Sequence, residues 1–182
     1  MRAVAILAGA LVSLAACASA GRHLAPGGPS FESDDFRFVA PTGWHVQPST
    51  STSYGQGQVR VYLANQPLRQ DCPTSGSLLT CQSPLDNGLR HGGMLVVWTA
   101  SPCVAEGCEL PPARLITIGN RQGVRVPMSE GCDETGFTER SAYYVTVTPQ
   151  RVDVLYACAR DPSDATRSAF LGFLDAIQWR VP

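Results

Sequence analysis

Residues 141–181 read SAYYVTVTPQRVDVLYACARDPSDATRSAFLGFLDAIQWRV, and this stretch decides the fold class. Its first half holds two runs rich in β-branched and aromatic residues, Ser141–Thr148 and Arg151–Ala159, joined through Pro149 and Gln150. Two such runs around a short turn predict an antiparallel hairpin. Alternate residues of the second run share one face, which we expect to be the core face: Val152, Val154, Tyr156 and Cys158.

The second half of the stretch predicts a helix and then a short final strand. Asp161 offers a side chain that can cap the helix, and Pro162 fits the first helical position. Apolar residues then recur at i, i+3, i+4 and i+7, which places them on one stripe: Phe170, Phe173, Leu174 and Ile177. Residues 178–181 predict the last strand.

Strand patterns also run through the chain before this stretch. We predict strands at Phe36–Val39, Trp44–Val46, Gln58–Ala64 and Met94–Ala100, and a hairpin of Arg114–Ile118 with Val124–Val126, turning at residues 119–123. The nearly continuous apolar run Met94–Ala100 indicates a strand covered on both faces. Residues 65–92 are polar and contain Pro, Gly and two Cys, which predicts a long stapled loop. The sequence therefore predicts an α+β domain over residues 31–182, with an antiparallel sheet of about seven strands, a C-terminal helix and disulfide-stapled loops.

The first residues of the chain are typical of an export signal. The apolar run from Ala3 to Ala16 follows Arg2 and is shorter than the roughly 20 residues of a spanning helix. It ends in Leu14-Ala15-Ala16-Cys17, which resembles the lipobox of bacterial lipoproteins. The resemblance implies that residues 1–16 are a signal peptide and that Cys17 carries a diacylglyceryl group.

An alternative at this end of the chain is ordinary secretion. Residues 18–20, Ala-Ser-Ala, fit the site of a general signal peptidase. Under the lipoprotein hypothesis, the Gly- and Pro-rich residues 17–30 are the lipidated Cys and a flexible tether. Both routes export the mature chain.

The cysteine count predicts a disulfide framework. Apart from Cys17, six cysteines remain, an even number that in an exported chain indicates disulfides: Cys72, Cys81, Cys103, Cys108, Cys132 and Cys158. The short turn-like spacings favour the pairs 72–81 and 103–108. Cys132 and Cys158 then remain, at the two ends of the predicted hairpin, and we predict that they pair. The spacing C-x2-C does not occur, and a zinc site is not predicted.

The stretch Phe36–Trp44 has the pattern F-x-F-x-x-P-x-G-W and resembles the opening of the PsbP/Mog1-like fold. That resemblance implies an antiparallel sheet flanked by helices, with a C-terminal helix before a final strand. It implies binding or scaffolding roles and no shared catalytic residues. The Arg-only, Ala- and Gly-rich composition also resembles that of actinobacterial chains.

Composition and motifs exclude several function classes. All 14 basic residues are arginine, and the net charge is -1. Without lysine there is no Schiff-base nucleophile, P-loop or kinase site. The near-zero charge argues against a nucleic-acid partner. His91-Gly92-Gly93 is similar to the oxyanion loop of lipases, but the G-x-S-x-G motif is missing. His45 and the carboxylate pairs, Asp34 with Asp35, Glu106 with Glu109 and Asp133 with Glu134, have no signature that selects a catalytic set.

We therefore predict a lipoprotein anchored on the extracytoplasmic face of the cell membrane, with a non-catalytic binding or scaffolding role. Its expected partners are the membrane, through the lipid anchor, and an envelope protein or a small ligand. No catalytic residue, metal ligand or cofactor is assigned. The alternative is a secreted hydrolase whose site is not contiguous in sequence, which would show a pocket with a His close to a Ser or a carboxylate.

Overall fold

The computed structural model describes residues 27–49, 53–54, 57–68, 85, 88–103, 108, 110–129 and 136–180. Eleven strands and one helix follow one another in this part of the chain. They are β1 (Ser30–Glu32), β2 (Phe36–Val39), β3 (His45–Pro48), β4 (Ser53–Tyr54), β5 (Gly57–Ala64), β6 (Met94–Pro102), β7 (Arg114–Ile118), β8 (Arg121–Pro127), β9 (Glu139–Thr148), β10 (Arg151–Ala159), α1 (Asp164–Ala176) and β11 (Gln178–Trp179).

The main sheet has eight strands, of which seven lie in the order β3-β5-β6-β10-β9-β8-β7 and the eighth, β4, pairs with β5 beside this path. A small sheet has the order β1-β2-β11. All strand pairs are antiparallel. The predicted α+β class, with an antiparallel sheet of about seven strands and a C-terminal helix, is confirmed.

Strand β6 lies near the middle of the main sheet, between β5 and β10. Its residues 94–99 are all buried, which confirms that this apolar run is covered on both faces. An apolar strand loses little by being covered twice, because it has no side chain that needs water.

The main core lies between one face of the sheet and a layer made of α1 and the small sheet. Phe36 of β2 stacks on Trp98 of β6, with ring centroids 3.9 Å apart. Phe38 meets Phe173 of α1 edge-on at 5.1 Å. The aromatic side chains of β2 therefore join the small sheet and the helix to the main sheet.

A second, smaller cluster covers the opposite face of the sheet and includes Leu85, Leu89 and Cys158. Leu155 faces the main core, as do Ala157 and Ala159, whereas Cys158 faces the second cluster. The predicted core face of β10 is therefore covered by the second cluster, and the opposite face of the strand meets the main core. Both faces of β10 are covered, so its alternation does not indicate which face meets the helix.

The β7–β8 hairpin is confirmed, with a shorter turn than predicted. Gly119 and Asn120 make the turn, and β8 begins at Arg121. Gly119 has φ of 61°, and a Cβ there would lie 2.1 Å from the carbonyl oxygen of Ile177. Only glycine fits this position, where the hairpin meets the end of α1.

Helix α1 carries the predicted stripe, since Phe170, Phe173 and Leu174 are buried in it. The prediction that Asp161 is the N-cap of α1 is wrong. Ser163 caps the helix by accepting a hydrogen bond from the backbone N–H of Thr166 at 3.1 Å. Asp161 is at φ 45°, outside the extended region that an N-cap adopts. No helix in the described part of the chain is long and apolar enough to cross a bilayer.

The small sheet takes in both ends of the described chain. Ala40 donates its backbone N–H to the Pro29 carbonyl at 2.9 Å, and Ser30 pairs with Val39 of β2. The last two residues of the predicted tether are therefore joined to the folded domain. At the other end β11 pairs with β2, which confirms a short final strand.

Two of the predicted disulfide cysteines are joined to each other: Cys103 and Cys108, with Cα atoms 5.1 Å apart. Cys158 is also disulfide-bonded. Its partner is neither Cys103 nor Cys108, since these are joined to each other. Cys17, Cys72, Cys81 and Cys132 lie outside the described residues, so the pairs 72–81 and 132–158 stay predictions.

Candidate functional site

A pocket of about 90 Å³ lies between the main sheet and the first half of α1. Its floor comes from neighbouring strands β8, β9, β10 and β6: Arg125, Ser141, Tyr143, Ala157, Ala159 and Met94. Its roof comes from α1: Arg167, Phe170 and Leu171. The space exists because the two residues that β10 presents to it, Ala157 and Ala159, are small. The next inward-facing residue of β10 is Leu155, whose larger side chain fills its place in the core. We call this cavity the helix pocket.

One wall of the helix pocket is polar and buried. Arg125 donates from Nε and Nη2 to Ser141 Oγ, at 3.1 and 3.0 Å. The guanidinium carbon of Arg125 lies 5.8 Å from the ring centroid of Tyr143. Ser141 and Tyr143 are both nine-tenths buried or more, and Arg125 is half-buried. Arg125 thus contacts both of the other polar side chains of the wall.

The two arginines of the pocket differ in their counter-charges. Arg167 forms ion pairs with Glu139 at 2.5 Å and with Asp164 at 3.0 Å. Arg125 forms no ion pair with any carboxylate of the described residues. It also lies directly opposite Arg114 of β7 in the sheet register. Like charges opposite each other are unfavourable, so this corner of the pocket is electropositive.

Tyr143 completes the chemistry of the wall. Burial raises the pKa of its phenol, against the opposing effects of the Arg125 charge and the Ser141 hydrogen bond. The phenol is therefore protonated at neutral pH and can donate a hydrogen bond. The arrangement can present a guanidinium and a hydroxyl donor to an acceptor in the pocket.

A larger groove, of about 720 Å³, lies beside the small sheet and α1. Its walls include β1, β2, residues 40–42, Gln178 and two small residues of α1, Ala169 and Ala176. Val39, in this groove, is 44% exposed. We call it the β1–α1 groove.

A chain of charged side chains crosses one end of the main core. Trp98 donates its indole N–H to Asp153 at 2.9 Å, and Arg151 donates to the same carboxylate at 3.1 Å. Arg151 and Arg60 both pair with Asp35, at 3.0 and 3.1 Å. Asp153 is fully buried. The chain ties the Asp35 turn of the small sheet to β5 and β10, which is a structural role.

We predict that Asp153→Asn changes how stability depends on pH. Burial is the main cause that raises the pKa of Asp153, against the Trp98 hydrogen bond and the charges of Arg151 and Arg60, with Asp35 adding to the rise. The folded state therefore holds this proton more tightly than the unfolded state, whose pKa is about 4. The free energy of unfolding should fall, relative to the variant, as pH rises from about 4 through the folded pKa.

Urea unfolding at a series of pH values measures this difference between the wild type and Asp153→Asn. The free energy of unfolding of the wild type, relative to that of the variant, should be highest at the acid end of the series. The difference between the two free energies should become constant above the folded pKa of Asp153. A difference that grows in favour of the wild type with rising pH would contradict the prediction.

The structure places the catalytic candidates apart from both cavities. His91 Nδ1 lies 3.1 Å from Asp161 Oδ2, but the imidazole is 83% exposed and lines neither the helix pocket nor the β1–α1 groove. The described residues give its side chain no serine partner. His45 is exposed on β3. Asp35 is held by two arginines, and the carboxylate pairs at 106 and 109 and at 133 and 134 lie outside the described residues.

The helix pocket was not predicted from the sequence. Tyr143 is in the main core and also lines the pocket, together with Arg125 and Ser141. The available signal was the alternation in β8, which turns Arg125 to the face opposite Val124 and Val126. Among the described residues no group of His, Cys, Asp and Glu side chains could hold a metal ion.

Comparison with known proteins gives likeness in fold. No protein-family model matches the chain, and no curated protein matches it. Similar solved structures include the solution structure of cyanobacterial PsbP (CyanoP) from Synechocystis sp. PCC 6803, at TM-score 0.46 and 12% identity over 83% of this chain and 91% of that one. A crystal structure from Bacteroides thetaiotaomicron VPI-5482 has TM-score 0.42 and 14% identity over 84% of this chain and 48% of that one, so this chain spans about half its length.

Proposed function

We propose that this chain is a lipoprotein, anchored through Cys17 on the extracytoplasmic face of the membrane, whose domain binds an envelope protein without catalysing a reaction. The observation that carries the binding role is the β1–α1 groove. The anchor rests on the lipobox-like residues 14–17.

Export is supported by the oxidised cysteines. Cys103 and Cys108 are bonded to each other, and Cys158 is bonded as well. Disulfides of this kind persist in oxidising compartments outside the cytoplasm. Two routes of export, lipidation at Cys17 or cleavage after Ala20, are compatible with these bonds.

The position of the groove relative to the anchor favours a partner in or near the membrane. Gly27 lies against Thr42, and Gly28 lies against the carbonyls of Ala40 and Pro41, which line the groove. Nine residues separate Cys17 from Gly27. At full extension they reach about 35 Å, and as a flexible coil about 18 Å. A lipidated Cys17 would therefore keep the groove close to the lipid surface.

The walls of the groove suit an extended polypeptide segment. β1 is the edge of the small sheet, with β2 on one side and no strand of the described residues on the other. An edge strand offers unpaired backbone groups to a strand from another chain. Phe31, Phe38 and Val39 supply apolar surface, and Arg37, which contacts Gln178 at 2.6 Å, supplies a positive charge. The expected occupant is an extended, apolar segment with an acidic residue.

Catalysis is not part of the proposal, because the described lining of the groove has no histidine or cysteine. Its charged side chains are engaged with protein partners: Glu32 with Arg180, and Arg37 with Gln178. The hydroxyl side chains of the lining, Ser30 and Thr42, therefore have no histidine among these lining residues to act as their base.

We predict that a photo-cross-linking residue in place of Val39 captures an envelope protein in the source cells. The same residue in place of Leu115, which is 63% exposed on β7 and outside the groove, should not. Mass spectrometry of the adduct should locate the cross-link within one contiguous segment of the captured chain.

Blocking the groove gives the matched control. Ala176→Trp introduces a bulky side chain into the groove, whereas Ala165→Trp places it on an exposed position of the same helix, outside the groove lining. The Val39 adduct should disappear in the first variant and persist in the second. Equal adducts in both variants, or equal capture from residues 39 and 115, would contradict a binding role for the groove.

A further inference from the structure

We propose that the helix pocket binds a small monocarboxylate with a short aliphatic chain, held by Arg125 and Tyr143. The site is separate from the β1–α1 groove, so this inference goes beyond the proposed function and stands or fails independently of it.

The charge of the pocket selects an anion. Arg125 has no carboxylate partner among the described residues and lies opposite a second cation, Arg114. A guanidinium presents paired N–H donors in one plane, which matches the two oxygens of a carboxylate. A bound carboxylate would offset the repulsion between the two arginines.

The buried polar wall fixes the donors in place. Ser141 Oγ accepts two hydrogen bonds from Arg125, and these orient the guanidinium beside the Tyr143 ring. Phe170 of α1 meets Tyr143 edge-on, with ring centroids 5.2 Å apart, and restrains the phenol from above. Donors that are ordered before the ligand arrives lose little entropy on binding.

The size and the remaining walls of the pocket define the rest of the ligand. A volume of about 90 Å³ equals the liquid volume of about three waters and is smaller than the ~150 Å³ cavity that admits benzene. Ala157, Ala159 and Met94 give the floor an apolar part. That part can contact about two to four carbon atoms, an order-of-magnitude range set by the volume. The ligand is therefore a carboxylate of the size of propionate or butyrate.

Glu139 argues against a dianion such as phosphate. Its carboxylate lines the pocket and is already paired with Arg167. A doubly charged ligand would meet this carboxylate with more repulsion than a monoanion. A single negative charge also balances the single guanidinium of Arg125.

Titration of the mature protein with butyrate, followed by backbone amide chemical shifts, tests the proposal. We expect saturable binding, with the largest shifts at Ser141 and Tyr143 and their neighbours. Butyramide, the uncharged analogue of similar shape, should bind at least about tenfold more weakly than butyrate, because it cannot form the charged hydrogen-bonded pair with Arg125. Inorganic phosphate should also bind at least about tenfold more weakly, because it adds a second negative charge beside Glu139. Absent or non-saturable butyrate shifts, or equal binding of butyramide, would overturn the proposal.

Two variants and a matched control separate the site from general attraction of anions. Arg125→Gln should weaken butyrate binding at least about tenfold. Ala157→Val keeps every charge and fills the floor, and should weaken binding by a similar factor even if Arg125→Gln fails to fold. Arg90→Gln removes an exposed arginine that lines neither the helix pocket nor the β1–α1 groove, and should bind butyrate as the wild type does. Unchanged affinity in Ala157→Val, or an equal loss in Arg90→Gln, would overturn the assignment.

Discussion

A Cys17→Ser variant should lose fatty-acid labelling, and should either leave the membrane fraction or persist as an uncleaved precursor. Ser has no thiol to carry the diacylglyceryl group that the lipobox-like residues 14–17 imply. Each buried methylene of an acyl chain contributes about 0.8 kcal/mol to membrane binding, so two chains anchor stably while none leaves only weak contacts. Metabolic labelling with a fatty-acid analogue and detergent-phase partition measure the loss, which we expect to be nearly complete.

The Cys103→Ser/Cys108→Ser double variant is the control, because it removes two cysteines elsewhere, together with the disulfide between them, and should keep the label. An uncleaved precursor of Cys17→Ser would remain with the membrane through its apolar run, so the label is the primary measurement. A wild-type protein with an unmodified N-terminus at Gly21 would contradict lipidation and favour ordinary secretion.

The elements that sequence could predict are those with strong local signals. The β9–β10 hairpin and the stripe of α1 were both predicted, because each carries its own periodicity and its own turn or flanking Pro. The buried strand β6 was predicted for the same reason. Strand β1 was not, because residues 30–32 have only Phe31 to mark them and are held mainly by pairing with β2.

Features that depend on the neighbours of an element were harder to predict. Which face of β10 meets the helix is decided by the layer above it, and Cys158 lies in the cluster on the other side. The helix cap moved from Asp161 to Ser163, because Asp161 is in the left-handed region and its backbone N–H bonds to Thr138. Neither the layer that packs on β10 nor the contact between Asp161 and Thr138 can be read from the local sequence.

The helix pocket was beyond prediction for a similar reason. Its polar wall joins residues of two strands, and its space depends on Ala157 and Ala159 of a third. In the sequence, alanines in a strand look like ordinary core residues. Only the register of β10 on β9 shows that Ala157 lies beside Ser141 and Ala159 beside Glu139. Long-range pairing, which no local pattern encodes, creates the cavity.

Trp98→Ala should lower the free energy of unfolding by about 4 kcal/mol, within the usual cost of deleting a large buried aromatic side chain. Trp98 is fully buried and stacks on Phe36, so its loss removes a contact between the main sheet and the small sheet. It also removes the N–H that Asp153 accepts at 2.9 Å, and Asp153 is fully buried away from solvent. Chemical denaturation followed by circular dichroism measures the change.

Trp98→Phe and Trp179→Phe separate the hydrogen bond from the packing. Each keeps an aromatic ring and removes one indole N–H, which Trp98 donates to a buried carboxylate and Trp179 to the Ile118 carbonyl at 2.8 Å. A donor lost from a charged acceptor costs about 1.5–3 kcal/mol, against about 1 kcal/mol for a neutral one. Trp98→Phe should therefore be the more destabilising of the two, and an equal or smaller effect would mean that Asp153 does not depend on the indole for its place in the core.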